Sequence, residues 1–288
     1  LKIIVKSIIQ NRKSLFKILH EVSLQSQFAE IVTKNIKQIV IPNNFKSVIV
    51  PYESQPFQNN VFKEIKKINN KIKTIGYIAT NQGFPSHNIY REGAPEILFT
   101  HSFSEISHLE NYLGWPKENL HLIPSLKFKK SDKNSMFSKI FIPYTIVSKN
   151  ILLFELDNFL KKQENNVLRN LEIKNHPYRK ESFNHKKFIN SLQSILKKNN
   201  KKFLHTSKNE MSIFFCETYA IFEALAKGVK VIQICSDPIF QSYNEKLWPS
   251  IKVIQISKYV FEYQLKEPKH CITLGDEEDT FDKYINSI

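Results

Sequence analysis

The sequence predicts an α/β protein built of two Rossmann-like parallel-sheet domains facing a cleft. Three observations carry this. Apolar runs of strand length alternate with amphipathic helical patterns along most of the chain. A charged segment, Lys127 to Ser138, interrupts that alternation and reads as a linker between domains 1–130 and 131–288. Polar residues follow several strands, where ligands gather in open α/β sheets.

In the first half, Leu1 to Asn35 has a helical pattern, with Leu15, Ile18, Leu19, Val22, Phe28 and Ile31 recurring on one face. Ile39 to Ile41 is a short apolar run that Pro42-Asn-Asn44 ends as a turn. Ser47 to Val50 is a buried-type strand closed by Pro51, so Glu53 sits just past a strand's carboxyl end. Asn59 to Asn70 is a helix with Val61, Phe62, Ile65 and Ile68 inward. Lys73 to Ile78 and Glu96 to Thr100 are strands, separated by a polar segment that includes His87 and Asn88. The helix Ser104 to Leu113 stops at Gly114, with Pro116 beyond it, and Leu120 to Ile123 is a fourth strand.

The second half opens with a strand at Ile140 to Ile142, followed by Pro143-Tyr-Thr145. A helix is expected over Asn150 to Lys162. Leu171 to Lys174 is a short strand that stops at His176-Pro177. Pro177 lacks an N–H and pushes His176 into an extended conformation, which presents the imidazole at the strand's end. By spacing alone the pair is also an ordinary turn. The helix Lys180 to Lys198 follows, then strand pieces at Phe203-Leu204 and Ser212 to Phe215. Thr218 is the expected N-cap of a helix ending at Gly228, a helix start suited to phosphate. Val229 to Ile234 is a buried strand, Pro238 to Leu247 a helix, and Ile251 to Ile256 the last strand. The acidic Asp276 to Asp279 precedes a closing amphipathic turn.

At 288 residues, with 41% hydrophobic content, the chain can bury a substantial core without disulfides. No apolar run reaches the roughly 18 residues of a membrane span. The first residue is Leu and the pattern begins in mid-helix, which reads as a chain lacking its natural start. The net charge of +15 comes mostly from lysine spread along the chain, without a dense arginine stripe. It favours phosphorylated ligands or peripheral contact with an anionic membrane over specific nucleic-acid binding. Three cysteines, widely spaced, form neither a zinc pattern nor a disulfide framework, and a reducing cytoplasm is the expected home. No D-x-D, Walker A or G-x-G-x-x-G motif is present, so neither an essential metal nor a dinucleotide cofactor is expected.

Several short motifs resemble a family. His176-Pro177 after a strand, then Thr218, Glu223-Ala224 and Gly228, resemble the nucleotide-binding domain of bacterial GT-B glycosyltransferases that use CMP-activated acidic sugars. Those are sialyltransferases, polysialyltransferases and capsule Kdo transferases. Glu53-Ser-Gln-Pro-Phe57 resembles a strand-end motif of surface-carbohydrate biosynthesis proteins, in which a Gly-Tyr/Val-x-His-Ser segment follows on the next strand. Here that segment is Gly76-Tyr-Ile-Ala-Thr80, with Ala79 at the His position, and Tyr219 stands where the second of a Ser pair is expected.

The resemblance implies a GT-B-like enzyme at the inner face of the membrane. Its partners would be a nucleotide-sugar donor and a glycan or lipid-linked glycan acceptor. In an inverting transfer, a base takes the acceptor's proton and other groups hold the departing phosphate. Glu53 is the candidate base, and an exposed turn residue is its other reading. His176, with Pro177 beside it, and Thr218 would hold the donor phosphate, and Glu223 would reach a ribose hydroxyl. Two alternatives stay open: a catalytically weak binding protein of the same pathway, and a basic nucleic-acid-binding protein.

Overall fold

In a computed structural model, residues 24–43, 45–79, 88–131, 136–162, 171–176, 183–200, 211–266 and 271–285 are described. They form an α/β fold in which largely parallel sheets are flanked by helices. The chain divides into two compact units, Leu1–Ala79 with Pro85–Thr100 and Leu109–His121, and Thr80–Phe84 with His101–His108 and Leu122–Ile288. The residues on both sides of position 130/131 belong to the second unit.

The first unit contains α1 (Leu24–Asn43), β1 (Ser47–Pro51), α2 (Pro56–Ile68), β2 (Lys73–Tyr77), β3 (Ile97–Thr100) and β4 (Leu120–Leu122). Its sheet runs β1-β2-β3-β4, with β1, β2 and β3 parallel. Ile65 and Ile75 are completely buried and Phe62 nearly so, which joins α2 to the sheet. Gly76 is required in β2, because a Cβ there would approach Leu98, Pro95 and Tyr52 to between 2.9 and 3.0 Å. The turn expected at Pro42 is instead the end of α1, which continues through Ile39–Ile41 and buries Val40. The expected helical residues before Leu24 lie outside the described ones.

Helix α3 (Phe103–Leu113) is followed, after a short 3-10 turn and β4, by the second unit's β5 (Ser125–Lys129). The remaining elements of that unit are β6 (Lys139–Ile142), α4 (Lys149–Lys162), β7 (Glu172–Asn175), α5 (Phe183–Asn200), β8 (Met211–Phe215), α6 (Ala220–Ala226), β9 (Lys230–Ile234), α7 (Pro238–Gln241), β10 (Ile251–Ser257), β11 (Val260–Leu265), β12 (Leu274–Gly275) and α8 (Phe281–Ile285). A six-stranded sheet has the order β10-β11-β9-β8-β6-β7. The four strands from β9 to β7 are parallel.

Alternation along the strands sends side chains to two cores. Ile140, Ile142, Ile213, Phe215, Ile232 and Ile234 face one side, with Leu152, Leu156 and Phe159 of α4 and Phe188 and Leu192 of α5. Phe141, Phe214, Val231, Phe261 and Tyr263 face the other, with Ile221, Phe222 and Leu225 of α6. Helices on both faces explain why β6, β8 and β9 are apolar at most positions.

Four expectations are corrected here. The linker read at Lys127 to Ser138 begins inside β5, which pairs in parallel with β12, and Phe128 and Met136 are buried in the second core. Ser125 and Phe128 of β5 are buried while Lys127 is exposed, so its lysines mask a strand. Ile251 to Ile256 is not the last strand. It forms a hairpin with β11, which is antiparallel to β9, so the sheet is mixed. The helix expected over Pro238 to Leu247 ends at Gln241, whose side chain folds back onto Ser236 and Asp237. Thr218 does not cap a helix. Tyr219 occupies the cap position, in a helical conformation and without a side-chain cap bond. The strand piece at Phe203-Leu204 lies outside the described residues.

Candidate functional site

The second sheet has one reversal of strand order among its parallel strands. From β6 the chain crosses to β7 on one side, then to β8 and β9 on the other. The carboxyl ends of β6 and β8 therefore diverge into loops on opposite faces, the position where open α/β sheets bind ligands. Four loops meet this edge: Pro143–Ser148 after β6, His176 after β7, Cys216–Tyr219 after β8 and Cys235–Asp237 after β9.

Register places His176 beside the β6 loop, since Asn175 of β7 pairs with Ile142 of β6. Tyr144 is 61% exposed, and its ring stands edge-on to the His176 imidazole with centroids 5.6 Å apart. His176 itself is half-buried. Pro143 ends β6, because it cannot extend the ladder. Ser148 then starts α4, its carbonyl accepting from the Ile151 and Leu152 amides at 2.9 and 3.5 Å.

At the end of β8, Cys216 adopts a left-handed φ of 56°. That conformation is costly for a residue with a Cβ, on the order of 1–3 kcal/mol, and persists only where neighbours enforce it. The enforcing groups are visible. The Cys216 amide donates to the Ile234 carbonyl at 2.9 Å, and its own carbonyl accepts from Gln233 Nε2 at 2.7 Å. These bonds tie the loop after β8 to β9. Burial pushes the thiol's pKa up, so it is a packed group and not a poised nucleophile.

Gln233 is the centre of a buried polar network. Its Nε2 also donates to the Gln241 carbonyl at 2.8 Å, and its Oε1 accepts from the Tyr263 hydroxyl at 2.7 Å. The Tyr263 hydroxyl in turn accepts from the Tyr243 amide at 3.0 Å. Tyr243 donates its hydroxyl to the Thr218 carbonyl at 3.1 Å. Thr218 is thus held through its main chain, half-buried in the turn before α6. Burial raises the pKa of both tyrosines, which remain neutral hydroxyl donors.

The other residues singled out by sequence lie elsewhere. Glu223 on α6 accepts from Lys227 Nζ at 2.7 Å, one turn on, and the Lys227 side chain is only 1% exposed. Its carboxylate is therefore committed to a largely buried ion pair. Tyr219 joins an aromatic cluster with Phe128, Phe222 and His101, and its hydroxyl is bonded to His101 Nε2. Pro177, Thr80 and His87 lie outside the described residues.

Glu53 belongs to the first unit. It is exposed, at the tip of the turn after β1, and its Oε2 accepts from Gln55 Nε2 at 3.0 Å. The turn itself is rigid. Ser54 has φ 56° and donates its hydroxyl to the Tyr52 hydroxyl at 2.8 Å, which donates to Asn59 Oδ1 at 3.0 Å. Gln58 Oε1 accepts from the amides of Glu53 and Gln55, both at 2.9 Å, and its Nε2 donates to the Pro51 carbonyl. The Gln-Pro pair of the motif has a structural task, as N-cap and first residue of α2.

Tyr144, Cys216 and Gln233 were not candidates from sequence. Pro143 after an apolar run marked the β6 loop, but an isolated Gln within a buried strand was the only signal for the network. Among the described residues, no group of three His, Cys, Asp or Glu side chains is placed to hold a metal ion, and no helix is long and apolar enough to cross a membrane. No protein-family model matches this sequence, and no curated protein matches it, so the functional reading rests on the geometry of the strand ends.

Proposed function

We propose that the protein is a glycosyltransferase of the GT-B type that takes a sugar from a nucleotide donor. The donor binds at the carboxyl ends of β6 to β8, and the acceptor is a surface glycan or its lipid-linked precursor. The observation supporting this is the reversal of strand order at β6, with His176 at the adjacent strand end. In the proposal the His176 imidazole and the Thr218 hydroxyl contact the donor phosphate. Glu53 takes the acceptor hydroxyl's proton as the new glycosidic bond forms and the bond to the phosphate oxygen breaks. The chemistry calls on no metal. The motif resemblance favours a CMP-activated acidic sugar.

The test is nucleotide-dependent stabilisation. A ligand at 100 times its Kd stabilises the folded state by about 2.7 kcal/mol, a readily measured rise in Tm. CMP is expected to raise Tm more than UDP or GDP, and His176→Ala to abolish the rise while the ligand-free Tm stays put. No shift with any nucleotide overturns the donor site. Turnover of a CMP-sugar should fall on the order of 100-fold or more in Glu53→Gln, and an unchanged rate removes Glu53 as the base.

A second reading, a binding protein without turnover, is favoured by two observations. Tyr219 occupies the position of an expected small hydroxyl and is tied into an aromatic cluster, and Glu223 is engaged by Lys227. Nucleotide binding without sugar transfer or donor hydrolysis would select it.

A further inference from the structure

The proposed phosphate contacts leave an exposed aromatic group at this edge unused. Tyr144 follows β6 directly, at the reversal of strand order, and keeps 61% of its surface exposed between two well-packed elements. A large ring so exposed is not explained by the core, which ends at Ile142. Its ring meets the His176 imidazole at an interplanar angle of 66°. The two rings, inclined at 66° with centroids 5.6 Å apart, make a corner. Both sit on short connections from adjacent, paired strands, so their separation is fixed by the sheet register.

We propose that Tyr144 is the stacking platform for the nucleobase of the ligand, with His176 closing the corner. This rests on the donor reading above and deepens it by assigning the base to a side chain. The chemistry is general. A flat, electron-poor heterocycle gains most by lying on an exposed aromatic face, and every base has such a face. A ligand with its base on Tyr144 and its phosphate at His176 spans a corner that the β6–β7 register already sets. The loop carrying Tyr144 runs from β6 directly into α4, where the Ser148 carbonyl accepts from the Ile151 and Leu152 amides, so both its ends are anchored. Stacking tolerates any base, and discrimination among bases then falls to polar groups of the neighbouring loops.

The test is calorimetric titration of CMP, UMP and GMP into the full chain and into Tyr144→Phe, Tyr144→Leu and Tyr144→Ala. Loss of one base stack costs affinity by about tenfold or more. The expected result is wild-type affinity in the Phe variant and at least that loss in both Leu and Ala, with Tm unchanged in all three. Equal affinity in Leu and Phe overturns the inference, because bulk and not a ring would be sufficient. Equal loss in Phe and Ala overturns it in favour of a hydroxyl contact. Undiminished binding in every variant overturns it while leaving the donor reading intact. Absence of nucleotide binding by the wild type overturns the donor reading, and the assignment of Tyr144 with it. Should the Ala variant misfold, the Leu-against-Phe comparison decides alone.

Discussion

Gln233 shows how one polar side chain can organise a site that it does not touch. It is completely buried in β9, where an unbonded carboxamide would be strongly unfavourable. Each of its bonds links a different segment: the Cys216 carbonyl, the Gln241 carbonyl and the Tyr263 hydroxyl. Gln233→Leu preserves bulk but leaves all three partners unsatisfied. The expected loss is about 3 kcal/mol in urea denaturation, accompanied by faster amide exchange at Cys216 to Thr218. A loss below 1 kcal/mol would show that water replaces the network. Tyr219 makes a complementary point, because its ring is packed among His101, Phe128 and Phe222.

At the scale of elements, the starts and edges carry the information. Helix α2 begins where Gln58 gathers the amides of Glu53 and Gln55 and donates to the Pro51 carbonyl. Gln58→Ala should cost about 1–2 kcal/mol in thermal or chemical unfolding, the range of a lost cap. It should also loosen the turn that carries Glu53 and, on the proposed transferase reading, lower turnover even though Glu53 is intact. Strand β5 makes a second prediction. If residues 127–138 were a linker, Phe128→Ala would be neutral. Because Phe128 packs in the second unit's core, the substitution should cost about 3 kcal/mol or more, read from the denaturation midpoint. Gly275 of β12 faces β5 so closely that a Cβ would come within 2.2 Å of the Ser125 carbonyl oxygen, which explains a glycine there.

At the scale of the molecule, stability should depend on pH through two groups of opposite character. Burial against Trp248 pulls the His108 pKa down to about 4. The unfolded chain binds this proton near pH 6.5 and the folded chain does not, so stability is complete above that value. It falls as the pH drops toward 4, by on the order of 3 kcal/mol. His108→Phe should flatten that slope in urea midpoints measured from pH 7 to pH 4, and an unchanged slope would assign it elsewhere. Asp279 acts only in stronger acid. Its carboxylate accepts from the Tyr284 hydroxyl, the Asp276 amide and Lys283, which hold it below the ordinary carboxylate range. Its contribution is present above that range and is lost as the pH falls through its depressed value.

Much of this fold was legible from local pattern. Period-two and period-3.6 spacing located β1, β2, β3, β6, β7, β8 and β9 and the bodies of α2 to α5, because burying an apolar face is a property of neighbouring residues. The strand-end positions of Glu53 and His176 followed from the same patterns with Pro51 and Pro177 as punctuation. Lysine concealed β5, since a half-exposed strand can hold Lys on every outward position. The β10–β11 hairpin was hidden because Glu262 and Gln264 interrupt the apolar residues of the second strand. Helix α7 was overextended because proximity in the fold, with Gln241 bonding back to Ser236 and Asp237, decided its end. The sequence by itself determined the α/β class, most of the elements and the strand-end positions of Glu53 and His176. Only the tertiary structure decided the strand order, the reversal at β6, the pairing of Tyr144 with His176 and the engagement of Glu223 by Lys227. Those depend on which distant segments share hydrogen bonds and on which side chains the core leaves exposed, and neither is encoded in any local window of the chain.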